Sequence, residues 1–152
     1  MPTDDRLIYL IFTAQQKLRT HLSNIMIREN VKVTPAQAGI LFLLTEKDGR
    51  TMSELSQLLS IDNSTITGLV DRLEKMGLVR RKVSPNDRRA SHVHVSPEGI
   101  GEMNKAKRIV RNVNQEIKNG LTAEELESFK KILRSIFHKF NAGSVQGQKD
   151  PG

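Results

Sequence analysis

TMSELSQLLSIDNSTITGLVDRLEKMGLVRRKVSPNDRRASHVHVSPE, residues 51–98, sets two short helical patterns ahead of two strand patterns. Thr51 and Glu54 form a capping box, in which a hydroxyl and a carboxylate satisfy backbone N–H groups that a helix start leaves open. The helix they open runs through Leu59, with Leu55, Leu58 and Leu59 as its buried set. Ser60-Ile61 is the connection. Asp62 then caps a second helix, and Ile61 and Ile66 are placed to form a hydrophobic staple. Ile66, Leu69, Val70, Leu73 and Met76 make its apolar face, and Gly77 supplies a left-handed stop. So close a pair, the second strongly capped, matches a helix-turn-helix. Short helical hairpins also occur in ordinary helical cores, so the pair alone leaves both readings open.

The residues after the pair narrow the choice. Residues 78–84 and 90–96 read as strands, with visible alternation in HVHV, joined by the turn chemistry of Pro85-Asn86-Asp87-Arg88-Arg89. The ribbon carries Arg80, Arg81, Lys82, Arg88 and Arg89 against one acid, Asp87. A basic hairpin straight after a helix-turn-helix is a wing. The stretch is therefore expected to be a winged helix-turn-helix, within a mostly α fold of the α+β winged-helix class.

Before this stretch, Thr34, Pro35 and Gln37 open a helix to about Lys47, and its run Ile40 to Leu44 predicts burial on most sides. Further upstream, Leu7, Ile11, Ala14, Leu18, Leu22 and Ile25 line one face of a long helix from Asp4 to about Arg28. Ile8 and Leu10 widen that face, which fits either a partner subunit or a broad core-facing helix. Downstream, Ser96-Pro97 opens a helix to about Asn119 with Met103, Ala106, Val110, Val113 and Ile117 on its stripe. Gly120 stops it, and Thr122 and Glu125 box the start of a last helix lined by Leu126, Phe129, Leu133, Ile136, Phe137 and Phe140. From Gly143 onward, GSVQGQKDPG has the composition of a mobile tail, residues 143–152.

A chain of 152 residues is long enough for one domain with a real core. The net charge of +7 makes an anionic partner plausible, nucleic acid before a membrane surface. The absence of cysteine excludes disulfides and thiolate metal sites and fits a reducing compartment. No apolar run approaches the roughly 20 residues of a bilayer span, and the acidic N-terminus lacks a signal-peptide pattern, so a cytoplasmic protein is expected. No nucleophile–histidine, Walker or dinucleotide pattern is present, and no cofactor or enzymatic activity is expected.

With these pieces assembled, residues 33–99 resemble the MarR family of transcriptional regulators. The resemblance lies in VTPAQAGILFLL, TMSEL, IDNSTITGLVDRLEKMGLVRR, SPNDRRA and SPEG, in that order and spacing. It implies a homodimer in which residues 1–32 and 97–142 form the helical dimerisation region and 33–96 the DNA-binding region. It also implies a repressor on an inverted-repeat operator of double-stranded DNA, released by a small aromatic, phenolic or otherwise anionic ligand. A winged-helix architectural protein without effector control, or a metal-responsive regulator, is the alternative.

Asn63, Ser64, Thr65 and Thr67 stand at the start of the second motif helix, where a recognition helix meets base edges; for Ser64 and Thr65 the other reading is that they finish its cap. Gly68 stands where the family often has a long basic residue, which implies either close approach of DNA to the backbone or a missing base contact. Arg72 suits a phosphate or an acid on a neighbouring helix, and Ser53 and Gln57 suit backbone contacts. At the wing tip the resemblance makes Asp87 the residue that orients Arg89 into the minor groove, with Arg88 on a phosphate. His92 and His94 share a strand face and read as surface histidines rather than a metal site. His21, near the end of the first helix, is the candidate for meeting an anionic ligand.

Overall fold

The computed structural model describes residues 6–83, 85–86 and 90–149, with side chains described through residue 141. The order is α1 (Leu7–Arg28), α2 (Pro35–Glu46), β1 (Arg50–Thr51), α3 (Met52–Leu59), α4 (Asn63–Lys75), β2 (Val79–Val83), β3 (Ser91–Val95), α5 (Pro97–Lys118) and α6 (Ala123–Lys149). The chain divides into two compact units, Met1–Asn112 and Val113–Gly152.

In the first unit α2, α3 and α4 start where their capping residues dictate, whereas α1, expected from Asp4, starts at Leu7 after Arg6, which makes no side-chain cap. Thr34 accepts from the Gln37 N–H and Gln37 reaches back to the Thr34 N–H; Thr51 and Glu54 repeat the arrangement at α3. Gly77, with φ +75°, turns the chain from α4 into β2, a conformation that costs glycine little. The sheet is antiparallel in the order β1-β3-β2, so β3 is central. Val79 pairs with Val95, Arg81 with Val93 and Val83 with Ser91 along the ribbon. On the other edge Arg50 pairs with Val93 and Thr51 with His92. β1 has no counterpart in the sequence reading, because two residues carry no period.

The core of this unit joins Ile40, Leu41 and Leu44 of α2 to Leu55 of α3 and to Ile66, Val70 and Leu73 of α4, with Val79 and Val93 closing it from the sheet. Met26 of α1 and Met103, Ala106 and Ile109 of α5 are also buried. Gly99 is required at the start of α5, because a Cβ there would lie 2.2 Å from the Leu78 carbonyl oxygen. Glu102, buried on α5, accepts from the Lys32 N–H at 2.9 Å and from the Lys105 ammonium at 3.1 Å. Burial pushes its carboxyl up, yet those two bonds outweigh burial and hold it below the usual glutamate range.

Three expectations about packing need correction. Leu58, expected in the core, is 53% exposed, since on an eight-residue helix only Leu55 turns fully inward. On α5 the buried residue is Ile109 rather than Val110, a shift of one position on the helical wheel. Phe42 of α2, expected to be buried, is 43% exposed.

In the second unit Gly120 (φ +86°) ends α5, and Thr122 and Glu125 form the box that opens α6, with bonds of 2.9 and 3.1 Å. α6 continues past Gly143 to Lys149, where composition predicts a tail. Extending an existing helix needs no new nucleus, so a glycine there costs only about 1 kcal/mol. Phe129, Ile132, Phe137 and Phe140 leave much of their surface open. Among the described residues, no helix is long and apolar enough to cross a membrane.

Candidate nucleic-acid interface

The turn between α3 and α4 is built by local hydrogen bonds. Ser60 takes the left-handed conformation at φ 54°, strained for a residue with a Cβ, and the Ser56 hydroxyl donates to the Ile61 carbonyl at 2.5 Å. Asp62 then gathers the first turn of α4. It accepts from the Thr65 N–H at 3.2 Å, the Ser64 hydroxyl at 2.5 Å and the Thr65 hydroxyl at 2.7 Å. These bonds, that from Ser64 foremost, lower its carboxyl from 3.8 to about 2. Ser64 and Thr65 therefore do serve the cap. Each hydroxyl keeps free lone pairs, so it can still accept from a base but has committed its proton.

The rest of the predicted set is divided. Thr67 donates to the Asn63 carbonyl of its own helix at 2.9 Å. Asn63 and Ser53 are exposed, and neither side chain is hydrogen-bonded to another described residue. Arg72 is exposed, and among the described residues no acid lies within ion-pair distance of it. Gly68 would meet none of the described residues within 4 Å if it carried a Cβ, so packing among them does not demand glycine. Asp87, Arg88 and Arg89 lie outside the described residues.

The basic ribbon splits by strand alternation. Arg80 and Lys82 are exposed and stand opposite His94 and His92. Arg81 sits opposite the buried Val93, and its guanidinium meets Glu74 at 3.1 Å and also Asp71, both on α4. Its charge is thus already used, which corrects the sequence count of free wing cations. Hydrogen bonding to Glu74 raises the Arg81 pKa, and the bond from the Arg81 N–H is the first cause lowering that of Glu74. The two histidines anchor the turn before β1. His92 Nδ1–H donates to the Gly49 carbonyl at 2.9 Å, and His94 Nδ1 lies 3.2 Å from the Asp48 carboxylate. No group of three potential metal ligands occurs among the described residues.

The model of the MarR family matches residues 33–91, the span from the start of α2 into β3. An uncharacterised helix-turn-helix transcriptional regulator of Bacillus subtilis, YsmB, is 33% identical over 107 residues, 70% of this chain and 73% of YsmB. The chain belongs to the MarR family. The transcriptional repressor IacR of Pseudomonas putida is 29% identical over 99 residues, 65% of this chain; the match spans 59% of IacR. A mutant of MarR from E. coli, solved in complex with operator DNA, superposes with a TM-score of 0.78 at 28% identity, over 86% of this chain and 92% of that one.

A cavity of about 570 Å³ opens in the first unit of this MarR-family chain, with Phe42 and Leu44 of α2, Val95 of β3, and Ile100 and Met103 of α5 in its wall and Lys107, Glu46 and Asp48 among its polar lining. Its size lies within the usual range for small-ligand pockets. His21 is exposed on α1 and is not among the lining residues. The sequence reading missed the cavity residues, since Phe42, Leu44 and Met103 sit on ordinary apolar stripes and the others carry no pattern that joins them. The overlong apolar run of α2, which leaves Phe42 uncovered, was the available signal.

Proposed function

We propose that the protein is a cytoplasmic, homodimeric repressor that reads an inverted-repeat operator in double-stranded DNA and is released by a small anionic ligand. The observation that carries this reading is the exposed polar start of α4 together with the exposed Arg80 and Lys82 of β2. A helix start offers N–H groups and a positive dipole end to phosphate, and its first residues reach base edges. In this reading Asn63 and Thr67 face bases, and Ser64 and Thr65 contribute as acceptors. Ser53 and Arg72 bind phosphates. At the wing tip, Asp87 orients Arg89 into the minor groove while Arg88 meets the backbone. The cavity between α2 and α5 is the ligand's seat, with apolar walls for a ring and a polar rim in which Lys107 stands with the Glu46 and Asp48 carboxylates.

The test is to select an operator from randomised duplexes and titrate it against an unrelated duplex at one salt concentration. A specific repressor should prefer its operator by about 10³-fold or more. Arg89→Ala should lower operator affinity by about 1–3 kcal/mol with the dimer intact. Equal affinity for both duplexes would overturn the reading.

A further inference from the structure

We infer that Arg81 is a positioning residue that locks the β2–β3 ribbon onto α4, so that wing and recognition helix meet DNA as one rigid reader. The inference rests on the DNA-binding reading and names a residue that does not itself need to touch DNA. Three bonds join Arg81 to one carboxylate. Its backbone N–H donates to Glu74 Oε2 at 3.1 Å, and Nε and Nη2 donate to Glu74 Oε1 at 3.3 and 3.1 Å. Nη2 also pairs with Asp71, one turn earlier on α4. Both the strand backbone and the side chain are therefore fixed to the same point on the helix. A lysine could offer charge here but not the planar fork that engages two acids at once.

The magnitudes place the effect in recognition rather than in folding. Arg81, Asp71 and Glu74 are 31%, 42% and 38% exposed, and partly exposed pairs contribute little to stability. The contact between α4 and the sheet is already held by Leu73, Val70, Val79 and Val93, all fully buried. What the apolar contact lacks is direction, because it tolerates small rotations of the ribbon. Arg80 and Lys82 flank Arg81 on the strand, so the pose of Arg81 sets theirs. The fork also neutralises acids on the recognition helix that would otherwise repel phosphate within a Debye length of about 8–10 Å.

The opposing signs of two effects give the test. Glu74→Ala removes a negative charge from the DNA-binding helix and improves helix propensity, so simple electrostatics predicts tighter operator binding. Loss of positioning predicts weaker binding. With an operator duplex selected by the wild-type protein, Glu74→Ala should lower affinity at least 3-fold and Arg81→Met at least 10-fold. Melting temperatures should be nearly unchanged, and hydroxyl-radical protection should fade at the positions the ribbon covers while persisting under α4. If Arg81→Met does not fold, Glu74→Ala alone decides. Wild-type affinity or better in Glu74→Ala, or a footprint that weakens evenly, overturns the positioning role. Failure of the wild-type protein to select any duplex instead overturns the DNA-binding reading.

Discussion

Asp62 shows how one carboxylate can organise the first turn of a helix. By taking the Thr65 N–H and the hydroxyls of Ser64 and Thr65, it fixes which face of the first turn those side chains present. Its folded pKa, about 2, lies below the ordinary 3.8, so its contribution is present above about 3.8 and is lost as pH falls toward 2. Thermal unfolding of the wild-type protein should therefore lose part of its margin across that window. Asp62→Ala should melt lower at neutral pH and show a smaller loss there; equal losses in the two proteins would remove Asp62 from the pH dependence. Arg72 makes a different kind of contribution, as an exposed cation without an acidic partner among the described residues. If it binds phosphate, Arg72→Ala should weaken binding evenly across sequences and reduce the log–log salt slope by about 1. A change confined to one operator position would assign it to a base instead.

Among the elements, α4 carries a local conflict. A mid-helix glycine at position 68 costs about 1 kcal/mol relative to alanine, and no described residue occupies the space its Cβ would fill. Gly68→Ala should accordingly raise unfolding stability by about 0.5–1 kcal/mol, read from urea melts with an unchanged m-value. An unchanged or lowered stability would mean that the position is constrained within the free protein. The helix starts were legible because a capping box is an exchange of hydrogen bonds between residues three apart. The two-residue β1 and the division of Arg80-Arg81-Lys82 were not. Pairing with β3 and proximity to α4 decide them, and both lie distant in sequence or depend on which face the register turns inward.

For the whole molecule the telling quantity is apolar surface. α1 leaves Leu7 71%, Ile8 82% and Phe12 62% exposed, and α6 leaves Phe137 62% and Phe140 70% exposed. A soluble monomer rarely carries apolar patches on that scale, which supports the proposed homodimer. Phe137→Glu keeps a good helix former and places a charge on that surface. Sedimentation should then show a shift from dimer to monomer with helical circular dichroism retained. A dimer as tight as wild type would remove Phe137 from the interface. Because an inverted-repeat operator needs two half-sites engaged together, the same variant should lose operator affinity well beyond any effect on one half-site.

Caps, periods and turn residues act over a few positions, and for that reason the amino-acid sequence alone was enough to set the capped helix starts from α2 onward, the winged helix-turn-helix order and the family. It also located the candidate DNA-binding residues along the chain, from Ser53 to the wing. Packing was needed to show which of them have hydroxyls already engaged, that Arg81 is bound to Asp71 and Glu74, and that α2 and α5 frame a cavity. Each of these depends on groups that folding brings together, and Glu102 bonding the Lys32 N–H across 70 residues shows how far such a partner can lie from its sequence neighbourhood.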